Sequence, residues 1–180
     1  MNRIFLIGYM GSGKTTVGKL LAARLGYSFI DMDVHIEEKL FKSVSQIFAE
    51  FGEDKFRLLE QQSLHEVADF DHVVISTGGG APCFFDNMDY MNERGMTVYL
   101  KLSPEELAER LESSHANKRP LLAERKGEKL KQFISEALAK REPFYSQAAY
   151  SVSGEIDRRY HRFVSWRDLR KPNWTTDYNN

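Results

Sequence analysis

The sequence predicts a three-layer α/β fold, with a central, mainly parallel sheet flanked by helices, from three observations. Short apolar runs alternate with stretches of helical period along most of the chain. The runs are nearly continuous in apolar character, as strands buried on both faces must be. A glycine-rich segment joins the first run to the first helical stretch, where open parallel sheets bind ligands.

The elements follow in order. Residues 3–8 (RIFLIG) form a compact strand. Residues 14–26 place Val17, Leu20, Leu21 and Leu25 on one helical face and end on Gly26, a suitable C-cap. Residues 28–33 (SFIDMD) read as a second strand. Ser43 opens a short amphipathic stretch through Phe51, and a longer one carries Phe56, Leu59, Ser63, Val67 and Phe70 at helical spacing. Residues 72–77 and 96–102 are the third and fourth strands. Ser103, Pro104 and Glu106 are an N-cap, an N1 proline and an N3 glutamate, the capping box of another helix. Residues 128–149 give a last long helical pattern. Residues 113–127 are polar and basic and read as a loop. Residues 154–180 hold Trp166, Trp174 and five arginines without a clean period.

Composition narrows the function. A chain of 180 residues is sized for one domain and buries about 70% of its unfolded surface, so its core requires no metal or disulfide. One cysteine, Cys83, excludes an internal disulfide framework. Hydrophobic residues at 42% and charged residues at 28% exclude disorder for most of the chain. A net charge of −1 provides no basic field for nucleic acid or anionic membrane. The N-terminal apolar run, Ile4 to Ile7, is too short for a signal peptide or a membrane span. The expectation is a single cytoplasmic domain over 1–180, monomeric, with neither nucleic-acid nor membrane partner.

Residues 8–15, GYMGSGKT, match G-x-x-x-x-G-K-[ST], the P-loop. Phosphate oxygens require a concave ring of backbone N–H donors, and Gly8, Gly11 and Gly13 remove Cβ atoms that would obstruct it. Lys14 would reach the β- and γ-phosphates of a nucleotide, and the Thr15 hydroxyl would ligate Mg²⁺. A strand before and a helix after complete the context, so the fold class becomes that of the P-loop NTPases. Ser12 belongs to the same ring. Thr16 lies on the helix behind it.

A P-loop leaves the acceptor open. Asp31 and Asp33 end the second strand, where one carboxylate can serve a metal and the other a hydroxyl nucleophile; Asp33 would equally suit the cap of a helix beginning near Val34. Arg57 and Glu60 lie three apart on a helix, either as a fork preset for a substrate carboxylate or as an exposed ion pair. Gly78, Gly79 and Gly80 follow the third strand, as a site of close ligand approach or as a flexible turn. Arg119 and Arg141 read either as solvated charges or as groups closing on a transferring phosphoryl. The five histidines lack metal-ligand spacing. Cys83 reads as a small buried residue, and Phe84-Phe85 as core or pocket wall. The basic cluster from Lys118 to Lys126 lacks interleaved aromatics, which favours ATP phosphate over RNA.

Taken as an ordered set, these residues closely resemble the shikimate kinases. The resemblance rests on Gly8 to Lys14; Asp31 and Asp33; Phe48, Gly52, Glu53, Phe56, Arg57 and Glu60; Gly78 to Gly80; Arg119 to Leu122; and Arg141 with Tyr145. It covers residues 3 to about 150 and departs from the family pattern in the tail. The resemblance implies ATP-dependent phosphorylation of shikimate at its 3-hydroxyl, with Mg²⁺, in aromatic amino acid biosynthesis. It implies that Asp33 holds and helps deprotonate the hydroxyl. Arg57 and Arg141 would clamp the carboxylate, with Glu60 orienting Arg57 and the N–H groups of Gly79 and Gly80 meeting the ligand. Asp31 would lie near the metal, and Arg119 would close with a lid at about 112–126. The substrate-binding segment would span about 33–60. Arg110, before the lid, is the candidate for stacking on the base. Two alternatives remain: another small-molecule P-loop kinase, of gluconate or nucleotide type, and a non-catalytic nucleotide-binding module.

Overall fold

A computed structural model describes residues 2–113 and 126–153. The expected lid residues 114–125, with Arg119, and the tail 154–180 lie outside the described residues. Five strands form one parallel sheet: β1 (Arg3–Ile7), β2 (Ser28–Asp31), β3 (Val73–Ser76), β4 (Met96–Lys101) and β5 (Tyr150–Ser153), in the order β2-β3-β1-β4-β5. The chain moves outward from β1 to β2, then crosses back over β1 from β3 to β4. The carboxyl ends of β1 and β3 thus lie side by side at the point where the winding reverses, with β2 next to them. Leu6 is paired with Ser76 and Asp31 with Ser76, which brings the loops after these strands to one sheet edge.

The alternation of side chains along each strand builds two apolar layers. On one face, Phe5, Ile7, Val73, Ile75 and Tyr99 pack with Leu64, Val67, Met88, Met91 and Tyr145. These last come from three helices: α3 (Val44–Val67), α4 (Asn87–Arg94) and α6 (Gly127–Tyr145). On the other face, Ile4, Leu6, Val74, Val98 and Leu100 pack with Val17 and Ala22 of α1 (Lys14–Leu25). A third cluster joins Tyr9 to Leu107 and Leu111 of α5 (Pro104–Ser113) and to Leu130 and Ile134 of α6. A small separate core, Ile36, Ile47 and Phe56, ties α2 (Met32–Leu40) to α3.

The first four expected strands are present, but β2 ends at Asp31 instead of residue 33, because the Asp31 carboxylate accepts the Asp33 N–H and starts α2 at Met32. Asp31, not Asp33, is the helix cap. Helix α1 is rotated from its expected face. Val17, Gly18 and Ala22 are buried while Leu20 is 39% exposed, since the two small residues let the helix approach the sheet closely. The expected capping box forms, Ser103 with Glu106, and Ser43, expected only to open its helix, forms a second one with Gln46. The two stretches on either side of Gly52 form one element with a break at that glycine (φ 77, ψ 175), backbone that glycine alone adopts readily. Helix α3 stops at Val67, which leaves Phe70 exposed. The last helix ends at Tyr145, earlier than the expected 149, and the chain turns into β5, a strand the periodicity did not indicate. Helix α4 is a second unforeseen element.

Candidate active site

The loop after β1 carries Gly8, Gly11 and Gly13 at φ 140, 81 and 93. Gly13 is the N-cap of α1 and supplies no side-chain cap, so the first helical N–H groups point into the loop. Ser12 N donates to Tyr9 O at 3.2 Å and closes the turn. Lys14 is buried, and its Nζ donates to Gly8 O at 2.9 Å and Tyr9 O at 3.0 Å, which holds the ammonium over the same concavity. Among the described residues the buried Ser12 hydroxyl has no hydrogen-bond partner. A cradle of N–H donors, a helix N-terminus, a lysine and an orphaned hydroxyl suit the phosphates of a nucleotide. Arg110, at the end of α5, donates to Ser12 O at 3.4 Å, so its guanidinium flanks this loop.

Thr15 Oγ1 donates to Asp31 Oδ2 at 2.7 Å across the gap between α1 and β2. Hydroxyl and carboxylate oxygens side by side, next to a phosphate cradle, match the hard oxygen donors that Mg²⁺ prefers. Among the described residues no group of three or more His, Cys, Asp or Glu forms a metal cluster. A magnesium ion here would therefore draw most of its shell from phosphate and water, its usual habit.

The acceptor side is built from α2, α3, α6 and the turn after β3. Arg57 is held on two sides. Its Nε and Nη2 donate to Glu53 Oε1, at 3.2 and 2.9 Å, and Nη1 donates to Glu60 Oε2 at 2.9 Å. Three of its five N–H donors are thus engaged, which leaves two for a ligand. The guanidinium lies 4.1 Å over the Phe84 ring, flanked by Phe56 and Phe48. Glu60 is only 1% exposed. The pair is therefore not the exposed surface ion pair that spacing alone allowed. A Cβ at Gly78 would overlap Glu60 Oε1 and stand 3.1 Å from Asp33 Oδ1, so a bare glycine is required where the two carboxylates converge. A Cβ at Gly80 would lie 2.6 Å from Arg57 Nη1. The glycine run is a close-packed element of the site and not a flexible turn.

Arg141 projects from α6 into the same place. Its Nη1 donates to Gly79 O at 3.4 Å, and Tyr145 OH donates to the same carbonyl. Its guanidinium sits 5.0 Å over the Tyr9 ring. Asp33 is exposed to the cleft at the start of α2.

Burial sets the electrostatics. It pushes the Glu60 carboxyl up to about 7, although the charge and hydrogen bond of Arg57 pull the other way; Asp33 adds to the rise, and Arg141 opposes it. Burial also pushes the Cys83 thiol up to about 11, against the pull of Arg141 and Arg57. Cys83 is half-buried at the edge of the site, less enclosed than expected. The Tyr145 hydroxyl is likewise raised by burial.

Of the expected site residues, Gly11, Ser12, Gly13, Lys14, Thr15 and Arg110 converge on one side. Asp33, Arg57, Gly79, Gly80 and Arg141 converge on the other, with Asp31 at the junction. Thr16 is on the exposed first turn of α1. Phe84 stands against Arg57, as its reading as a pocket wall expected; Tyr9 had no expected role, and Glu53 and Tyr145 entered only as part of the resemblance. Glu53 precedes Arg57 by one helical turn, the same signal that pointed to Glu60. Phe84, Tyr9 and Tyr145 depend on long-range packing.

The comparisons with known proteins agree with this geometry. The family model described as shikimate kinase matches residues 10–165. A shikimate kinase of Parabacteroides distasonis is 60% identical over 155 residues, 86% of this chain and 89% of the relative. The crystal structure of shikimate kinase from Bacteroides thetaiotaomicron superposes with a TM-score of 0.85 at 51% identity, over 88% of this chain and 90% of that one. The Acinetobacter baumannii shikimate kinase in complex with shikimate gives a TM-score of 0.78 at 36% identity, over 86% of this chain and 84% of that one. A family model that matches most of the chain, and relatives at these identities and coverages, show that the chain belongs to the shikimate kinase family.

Proposed function

We propose a division of labour among this chain's residues for the family's reaction, transfer of the γ-phosphoryl of ATP to the 3-hydroxyl of shikimate. The observation that carries it is the convergence of Arg57, Arg141, Glu60 and Asp33 beside the P-loop. ATP phosphates rest on the N–H groups of Gly11 to Thr16, with the Ser12 hydroxyl among the donors. Lys14 turns its ammonium from the Gly8 and Tyr9 carbonyls to the β- and γ-phosphates. Arg110 lies against the adenine. Thr15 and Asp31, bonded to each other, are the residues that would hold Mg²⁺, which when bound would supply charge neutralisation for the transferring phosphoryl. The two remaining donors of Arg57 and the guanidinium of Arg141 grip the shikimate carboxylate, with Gly79 and Gly80 N–H groups at its flank. This orients the ring so that its hydroxyl meets Asp33, which takes the proton late in a loose transfer. Arg119, expected to act on the phosphates, lies outside the described residues. The chain is read as one kinase domain, with α2 and the first turns of α3 as the substrate-binding segment.

The working unit is proposed to be a cytoplasmic monomer. A net charge of −1 offers no basic field for nucleic acid or anionic membrane. Among the described residues no helix is long and apolar enough to cross a membrane.

The test is ADP release from Mg-ATP in the presence of shikimate, gluconate, a nucleoside monophosphate or no acceptor. Release that requires shikimate is the expected result. Release with another acceptor instead would overturn the reading of the pocket.

The pocket also predicts a pH dependence. Two arginines face three carboxylates, Asp33, Glu53 and Glu60, and Glu60 titrates at about 7. Above that pH an extra negative charge opposes the anionic substrate. Below it, Glu60 is neutral and Arg57 is shared with one carboxylate fewer. Shikimate binding is thus linked to a bound proton, and its Kd is expected to rise by up to tenfold from about pH 6 to pH 8. Glu60→Gln keeps an acceptor for Arg57 and should flatten that rise. A Kd in the unaltered chain that is constant or falls over this range would contradict the assignment.

A further inference from the structure

We propose that Tyr9 is a positioning residue that couples occupancy of the shikimate site to the phosphate grip of the P-loop. The inference rests on the assignment of Arg141 to the shikimate carboxylate. Tyr9 is the second residue of the loop, and its main chain and side chain face different parts of the site. Its carbonyl accepts from Lys14 Nζ at 3.0 Å and from Ser12 N at 3.2 Å, so it fixes both the loop's lysine and the turn. Its ring is 2% exposed and lies under the Arg141 guanidinium, 5.0 Å from the charge. The rest of the ring is packed among Leu107, Leu111, Leu130 and Ile134, at the base of the helices that bracket residues 114–125.

A tyrosine in this setting has little freedom. Its two side-chain torsions are fixed by close packing, so ring and backbone move together. The Arg141 guanidinium is attracted to the ring face and also bonded to Gly79 O. A carboxylate drawing that guanidinium toward itself must either pull the ring or break its contact. Where the ring follows the guanidinium, the displacement reaches the carbonyl that holds Lys14. The reverse path is equivalent: phosphates that draw Lys14 away from Tyr9 O release the loop that supports the ring. Reciprocal coupling between the two ligands follows.

Packing alone could also link the sites, because the glycine turn abuts the loop. A Cβ at Gly79 would stand 3.3 Å from Met10 N. The Tyr9 route is separable from that one by variants that alter the ring and leave Gly79 untouched. Tyr9→Phe keeps the ring face. Tyr9→Met keeps most of the bulk and removes the π system.

The experiment is calorimetric titration of the full chain with Mg-ADP, with and without saturating shikimate, and with shikimate alone. In the unaltered chain shikimate is expected to tighten Mg-ADP by about fivefold or more, within the usual range for coupled sites. Tyr9→Phe should retain that factor. Tyr9→Met should bring it close to one, read as the ratio of the Mg-ADP Kd values with and without saturating shikimate, so that a change in either ligand's own affinity cancels. The proposal is overturned if Tyr9→Met keeps the full factor, or if the unaltered chain shows none. If Tyr9→Met does not fold, amide exchange in the unaltered chain decides. Shikimate alone should slow exchange at residues 8–13, and unchanged exchange there overturns the proposal. Shikimate that binds equally well to Arg141→Gln would instead overturn the site assignment, and the coupling with it.

Discussion

Asp33→Asn is expected to lower kcat by about 10²- to 10⁴-fold, with a far smaller change in the KM for shikimate. Asparagine preserves the size of the side chain and can still accept a hydrogen bond from the substrate hydroxyl, so binding survives. It cannot take the proton. The variant should fold normally, because the cap of α2 is Asp31 and the role of residue 33 in that cap is its backbone N–H, which any residue supplies. The side chain is exposed to the cleft, where substitutions usually shift stability by no more than about 0.5 kcal/mol. Steady-state kinetics with an unaltered melting temperature would therefore report chemistry. A kcat within about threefold of the original would mean that Asp33 only positions the hydroxyl, a genuine alternative in a transfer with little nucleophile participation at the transition state.

How much of this was legible in the sequence depends on the range of the interaction. The P-loop was legible because strand, turn and helix are contiguous and each constrains the next. The capping box of Ser103 and Glu106 was legible because its partners lie three residues apart. The parallel sheet was legible from runs such as VVIS, buried along its whole length. Strand β5 was not, since its four residues, YSVS, alternate weakly and gain their place only by pairing with β4. Helix α4 was hidden by a polar sequence in which Met88 and Met91 reach the core, with Tyr90 packed against it. In the site, the Arg57–Glu60 pair was visible as spacing but its burial was not. The surfaces that enclose the pair, Phe84 and the bare backbone of Gly78 and Gly80, come from a different strand's turn. The contact of Arg141 with Tyr9 joins residues more than a hundred positions apart, and no local pattern encodes it.

That burial makes Arg57 the position where a substitution should cost the most in substrate affinity. Arg57→Ala is expected to raise the KM for shikimate by about 10²-fold or more, since truncating one member of a buried charged contact costs about 2–5 kcal/mol. The substrate loses two donors, and Glu60 loses the counter-charge that holds its carboxyl down. With burial then almost unopposed, Glu60 takes up a proton at neutral pH instead of standing as an unpaired charge, so the variant should still fold. Arg57→Lys separates charge from shape. A lysine keeps the positive charge but cannot serve Glu53, Glu60 and a substrate carboxylate from one planar fork. If the fork orients the ring, the lysine variant should lose turnover as well as affinity, because a misdirected hydroxyl misses Asp33. If Arg57 contributes charge alone, lysine should restore most of the alanine variant's loss. In both variants the KM for ATP should stay within about threefold of the original when measured at saturating shikimate. An equal loss for ATP would mean that Arg57 supports the fold of the whole cleft and is not a dedicated clamp on the acceptor.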